Sequence, residues 1–288
     1  MKRVSRSYRI FQTVNGIFMI LVVVVTLLPV LNVIAKSFSE TKYITQNAVL
    51  FWPKGFTVNT YKVVTSDSIF WIDYRNTVIY TVVGTLISLF MTAIFAYALS
   101  VPRLKGKKFF SSFAVFTMFF NGGMIPNYLL VRNLGMRNTI WAVVVPGAIS
   151  TFNLIVMRTF FEGLPHELEE AAAIDGMDTY GILTHIILPL SKPIIATMTL
   201  FYAVGAWNTW FGPFLYLDRP EELPVAVYLR NIIAGAQVQS GTDADSLGQV
   251  ASNIKAVTIV LTALPIMCIY PFMQKYFVQG ITIGSVKG

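Results

Sequence analysis

Charged side chains are scarce in this chain. They make up 12% of its 288 residues, against about 25% in soluble domains. That shortage argues against a soluble globular class. Cysteine is nearly absent: Cys268 stands alone in an apolar stretch. An internal disulfide and a cysteine metal cluster are both excluded. Histidine is almost as rare. His166 and His185 lie nineteen positions apart with no further ligand motif, and they read as loop or interface residues. A Gly-x-x-x-x-Gly-Lys-Ser/Thr loop is missing too, so the chain carries no P-loop for a nucleotide.

What is present is apolar length. The sequence is 55% hydrophobic. Six windows, 10–35, 76–102, 109–131, 138–157, 193–217 and 256–274, contain no Asp, Glu, Lys or Arg. Crossing the hydrocarbon as a helix takes about 17–25 apolar residues, and a charge at mid-span costs about 2.5–3.5 kcal/mol. The windows predict six transmembrane helices, over about 14–35, 74–101, 109–131, 138–160, 191–217 and 256–275. A barrel would need strands of about 10 residues alternating in polarity, and these windows do not alternate. The fold class expected is an all-α integral membrane protein, with residues 1–288 forming one transmembrane domain.

The basic residues orient it. Lys2, Arg3, Arg6 and Arg9 precede the first window, and Arg103, Lys105, Lys107 and Lys108 follow the second, without an acid in either cluster. Short loops rich in Lys and Arg stay in the cytoplasm. Both termini and the loop of about 162–190 are then cytoplasmic. The first apolar run, Ile17 to Ala35, exceeds a usual signal-peptide core and reads as a retained span. The formal charge of +8 is absorbed by this loop bias and by external residues. Nothing in it resembles a nucleic-acid patch.

The cytoplasmic stretch "EAAAIDGMDTYGILTHIILPLSKP", 170–193, is unusual. Pro165 suits a helix start, and Glu167, Glu169 and Glu170 suit the positive end of its dipole. Ala171, Ala172 and Ala173 favour helix with almost no side chain. Gly176 fits a left-handed stop, and Asp178 can cap a second helix. Ile182, Ile186 and Leu190 form an apolar stripe beside Leu183 and Ile187. Pro189 bends or ends that helix. The pattern describes a helix, a sharp turn and an amphipathic helix. It serves equally as a well-capped connector or as a lever that a partner grips.

"EAAAIDG" followed by Ile187, Leu188 and Pro189 resembles the EAA signature of bacterial ABC-importer permease subunits. The likeness extends to "GFTVNTYKVV", "YRNTVIYT", "MIPNYLLVRNLGMRNT" and "QKYFVQGITIGSVKG", which are similar to the carbohydrate-uptake, maltose-permease-like group. One departure is Met177, where the signature often has alanine. The resemblance implies a permease that pairs with a second permease, as a heterodimer, in the bacterial inner membrane. It implies two cytoplasmic ATPase subunits that carry ATP and Mg, and an external solute-binding protein that delivers an oligosaccharide. This chain would bind no cofactor and catalyse nothing. Glu170, Ala171, Ala172, Asp175, Gly176 and Pro189 would then form the ATPase-coupling helix-turn-helix, between spans four and five.

The substrate path is less legible. Polar residues within spans face protein or water, which singles out Asn76, Asn121, Asn127 and Asn153. The fifth span adds Trp207, Asn208, Trp210 and Tyr216. Aromatic faces stack on sugar rings and amides bind hydroxyls. The same residues also anchor helices at interfaces and lock helix packing. Gly122, Gly123 and Pro126 break the third span, either to line a cavity or as a plain kink. A secondary transporter or channel is the alternative function. It would show an acid inside the spans or a filter motif, and the charge-free windows contain no acid.

Overall fold

The computed structural model describes residues 6–239 and 247–285. Lys2, Arg3, part of the loop "GTDADSLGQ" and the last residues of the tail lie outside these. The described residues are helical almost throughout, and one isolated bridge joins Ser39 to Phe56. The chain divides into two compact units. One holds the described residues of Met1–Ser68 with Leu229–Leu264, and the other holds Ile69–Tyr228 with the chain from Pro265 onward.

In the first unit, α1 (Arg6–Ser37) is long and apolar, and none of its most apolar window is buried in the protein. A helix satisfies its own backbone, so hydrocarbon can surround it. Its end is tied to α2 (Thr41–Thr45) and α3 (Asn59–Ser66). Asn32 donates to the carbonyls of Val49 and Leu50, at 3.1 and 2.7 Å. Ala35, Ile44 and Val49 form a small core, and Phe38 stacks on Phe56 and Tyr61.

The second unit is organised by α4 (Ser68–Ser100). Gly84, Ser88, Thr92, Ala96 and Ser100 recur every fourth residue on one buried face. Small residues let helix backbones approach, which is how helices associate when lipid supplies no hydrophobic drive. Side chains of α4 share one buried core with α5 (Lys107–Phe119), α8 (Thr151–Glu162), α12 (Lys192–Trp207) and α9 (His166–Ile174). Their shared core includes Ala96, Leu99, Leu154, Met157, Ala172 and Met198.

Among the described residues, three helices are each long and apolar enough to cross a membrane: Ser7–Ser37, Ser68–Ser100 and Ser252–Pro271. The last belongs to α15 (Leu247–Ser285), which follows α14 (Val225–Gln239). The other expected spans are interrupted. The third turns by 115° between α5 and α6 (Met124–Asn133). Gly123 there has φ +88° and ψ 173°, a region only glycine enters at low cost. The fourth, read from sequence as unbroken over 138–160, splits into α7 (Ile140–Val144) and α8 around Pro146 and Gly147. The fifth, read as unbroken over 191–217, stops at Trp207 and resumes as α13 (Phe211–Tyr216). A proline ring clashes with the carbonyl four residues back and lacks an N–H. Pro126 and Pro213 each stand third in the resumed helix, so neither helix can run on from its predecessor.

Candidate functional site

The turn at 174–178 is built by local chemistry. Helix α9 ends at Ile174, and Gly176 takes φ +83°. The Gly176 N–H donates to the Ala173 carbonyl at 3.1 Å, and the Met177 N–H donates to Ala172 at 3.0 Å. Those two bonds make a Schellman stop. Asp178 then caps α10 (Thr179–Ile182), its Oδ1 accepting from the Gly181 N–H at 2.8 Å. The next residues, Leu183–Ile187, form a π-helical turn before α11 (Leu188–Leu190). The Leu188 N–H reaches back five residues to Leu183. The wider turn relieves the clash of Pro189 with the carbonyl of His185. At Ser191 the chain bends by 84° into α12.

This helix-turn-helix has two faces. Glu170, Ala171, Asp175 and Gly176 are exposed, and Ile174 is 86% exposed. Ala172 instead turns inward with Ile182, Leu183 and Ile187, in the same core as Ala96, Met157 and Met198. Its small side chain admits the chain's own helices. Pro189 and Leu190 are exposed, so the apolar stripe read as Ile182, Ile186 and Leu190 ends one turn early.

A carboxylate hub stands just before the turn. Glu162 lies 2.9 Å from Lys107 and 3.0 Å from Arg158. Lys107 also donates to the Ser100 carbonyl at 3.0 Å, and Arg158 to Ser111 at 2.9 Å. The end of α4, the start of α5 and the end of α8 are thereby joined. Burial pushes the Glu162 carboxyl up, but hydrogen bonds from Lys107 and Arg158 and their charge outweigh it. The net effect is a value below the usual glutamate range. The stabilisation is therefore complete above the ordinary carboxylate range and fades as pH falls through the lowered folded value. Glu162→Gln should flatten the acid limb of a stability-versus-pH curve measured in detergent. An identical slope in both proteins would show that the hub carries no linkage.

On the opposite side, Arg137 pairs with Asp218 at 2.7 Å. Asn138 donates to the same carboxylate at 3.0 Å and accepts from the Asp218 N–H at 2.8 Å. Hydrogen bonds from Arg137 and then Asn138 hold the Asp218 carboxyl below its usual range.

Between α4, α7, α8 and α12 lies a cavity of about 1020 Å3. Ser88, Ser150, Asn153, Tyr202, Thr209 and Tyr270 give it polar groups, and Gly84, Gly147, Gly205 and Gly212 give it width. Tyr202 is its anchor. The hydroxyl meets Thr92 Oγ1 at 2.6 Å and accepts from the Ser150 N–H at 3.2 Å. Of the eight path residues read from sequence, Asn153 and Tyr216 line this cavity. The other six lie elsewhere. Asn76 is buried and donates to the Glu221 and Leu223 carbonyls, at 2.7 and 3.1 Å; it clamps the segment after α13. Asn121 accepts from the Gly123 N–H and from Asn127, and so shapes the α5–α6 break. Trp207 is buried, edge-on to Tyr74. Asn208 is exposed and bonds its own helix at Val204. Trp210 packs on Phe211 and Phe214. Sequence reasoning missed Tyr202, Tyr270 and Ser150, whose types are common in any span. It also missed Asp73, which is 2% exposed near the N-terminal end of α4, just outside the charge-free window.

No family model matches the chain. Among curated proteins, it is 41% identical to Protein LplC of Bacillus subtilis (strain 168), over 99% of this chain and 97% of that one. It is 38% identical to the polygalacturonan/rhamnogalacturonan transport system permease protein YtcP of the same organism, over 97% and 99%. Among solved structures, a chain of a bacterial ABC transporter involved in the import of the acidic polysaccharide alginate superposes with a TM-score of 0.84. That match has 35% identity and covers 96% of this chain and all of that one. A protein built this way is a transport subunit and not an enzyme. The chain belongs to the family of sugar-transport permease subunits of ABC importers.

Proposed function

We propose that this chain and a second, similar permease enclose the import path for an oligosaccharide. Two ATPase subunits on the cytoplasmic side drive it, and a solute-binding protein loads it from outside. The observation that carries this reading is the bent, exposed helix-turn-helix of 166–190, fastened to the spans through a shared core. An applied force can reach the helices that line the cavity only if the element receiving it is rigidly joined to them. In this reading both termini are cytoplasmic, six segments cross the bilayer, and both compact units serve one permease. Glu170, Ala171, Asp175 and Gly176 face the ATPase, while Ala172 and Pro189 set the lever's seat and bend. ATP and Mg act on the partner. Asn153, Tyr202 and Tyr270 offer the hydrogen bonds and aromatic faces that sugar hydroxyls and rings need, and likeness to polysaccharide importers supports that substrate class.

Purification of the tagged chain with its genomic neighbours tests the assembly. An ATPase subunit should co-elute, and a cognate binding protein with oligosaccharide should stimulate hydrolysis. Glu170→Lys should weaken that stimulation about tenfold, the effect of losing a favourable contact of about 1.4 kcal/mol. Sugar uptake by vesicles containing this chain alone would sink the reading in favour of a secondary transporter or channel.

A further inference from the structure

A second concavity lies under the coupling loop. It has a volume of about 470 Å3 and sits where α4 ends, between the loop that follows it and the second coupling helix. Ile94, Ala98, Val101, Leu104 and Leu183 make its walls apolar. Arg103 and Lys105 line its mouth, both exposed. Among the described residues neither takes part in an ion pair, whereas nearby Lys107 is engaged by Glu162. Thr179 and Tyr180 bring hydroxyls from the coupling helix. Tyr97 lines the groove at 4% exposure, and its buried hydroxyl has no hydrogen-bond partner among the described residues. A buried hydroxyl left unpaired costs about 1–3 kcal/mol, so the site is short of one polar ligand. Arg103 and Tyr97 line the same groove. With Lys105 added, cations outnumber carboxylates at the mouth.

We propose that this groove binds an anionic phospholipid of the leaflet on the coupling side. The phosphate sits between Arg103 and Lys105, the glycerol region reaches the hydroxyls, and the first acyl carbons lie on the apolar wall. Three observations favour a lipid over a soluble anion. The walls are apolar, the site is level with the end of a membrane-spanning helix, and the cations cluster at one rim. Basic pockets beside span ends select anionic headgroups for this reason. The bound lipid bridges the loop after α4 to Thr179 and Tyr180, and so stiffens the seat of the coupling helix. Only the choice of leaflet rests on the orientation given above.

The complex of this chain with its second permease and ATPase is purified and offered phosphatidylglycerol or phosphatidylcholine. Retained lipid is then counted by native mass spectrometry. Phosphatidylglycerol should be retained, and the double variant Arg103→Gln, Lys105→Gln should retain about twenty-fivefold less, given roughly a fivefold gain per basic residue near anionic lipid. Tyr97→Phe keeps the ring in its core and removes one hydroxyl. It should lower retention about threefold, the scale of one hydrogen bond. Equal retention by both variants overturns the proposal. So does displacement of the lipid by millimolar inorganic phosphate, which would mark a free-anion site. Loss of the ATPase subunit from the double variant with lipid retention unchanged also overturns it, because the groove would then be a protein contact. The leaflet is checked separately with Lys108→Cys in a Cys268→Ser background. Labelling from outside alone would refute the orientation while leaving the lipid count as it stands.

Discussion

Gly176→Val is expected to cut binding-protein-stimulated ATP hydrolysis by more than about tenfold, with the complex still assembled. Gly176 holds φ +83°, and a Cβ added there meets nothing within 4 Å. The penalty is therefore in the backbone and not in crowding. An L-residue in the left-handed region costs about 1–2 kcal/mol, and a β-branched one is the worst choice. If the backbone escapes that strain it gives up the Schellman bonds to Ala172 and Ala173, each worth about 0.5–1.5 kcal/mol. Either route disfavours the bent state by roughly 2–3 kcal/mol, a population change of about thirtyfold or more by the same arithmetic that makes 1.4 kcal/mol tenfold. Gly176→Asn supplies the control. Asparagine tolerates this region, so it should keep most of the coupling although it adds a larger side chain than alanine. Equal loss in both variants would mean that bulk at the ATPase surface, not turn geometry, is what matters.

Met157→Ala should lower stability by about 2 kcal/mol. Met157 is fully buried where α8 meets α4 and α12. In a soluble core the same truncation costs up to about 5 kcal/mol, part of it lost transfer out of water. In a bilayer the separated helix leaves this side chain in hydrocarbon, so the transfer part nearly cancels and packing is what remains. The cavity contribution, about 24 cal/mol per Å3, gives the figure stated. Met157→Leu conserves volume and should cost less than about 1.5 kcal/mol. Thermal unfolding in detergent, or steric trapping in bicelles, measures both. A Met157→Ala protein as stable as the parent would show that this contact is loosely packed.

The turn at 174–178 was legible because its determinants are neighbours in the chain. Glycine at a left-handed stop, aspartate two residues later as a cap and proline at a bend each act over a few positions, and each acts that way in the structure. The direction of Ala172 was not legible. One residue along a helix turns a side chain by about 100°, and three consecutive alanines offer no polarity to show which faces in. The path residues were harder still. Asn76 has the chemistry of a sugar ligand, yet its partners are carbonyls about 145 positions away. Asn121 and Asn208 bond locally. An amide in a span always needs partners, and composition does not say whether they are protein or solute.

The sequence by itself determined that this is a helical membrane protein and where the glycine-stopped turn at 174–178 lies. Solvation cost forbids charges in long apolar windows, and backbone sterics restrict which residues turn the chain. Tertiary structure alone decided that the fourth and fifth spans break, which alanine joins the core and which residues meet around the cavity. Tyr80, Asn153, Tyr202 and Tyr270 come together there from four separate stretches of chain. Their meeting depends on how the helices around the cavity assemble, a property of the bundle that no local pattern contains.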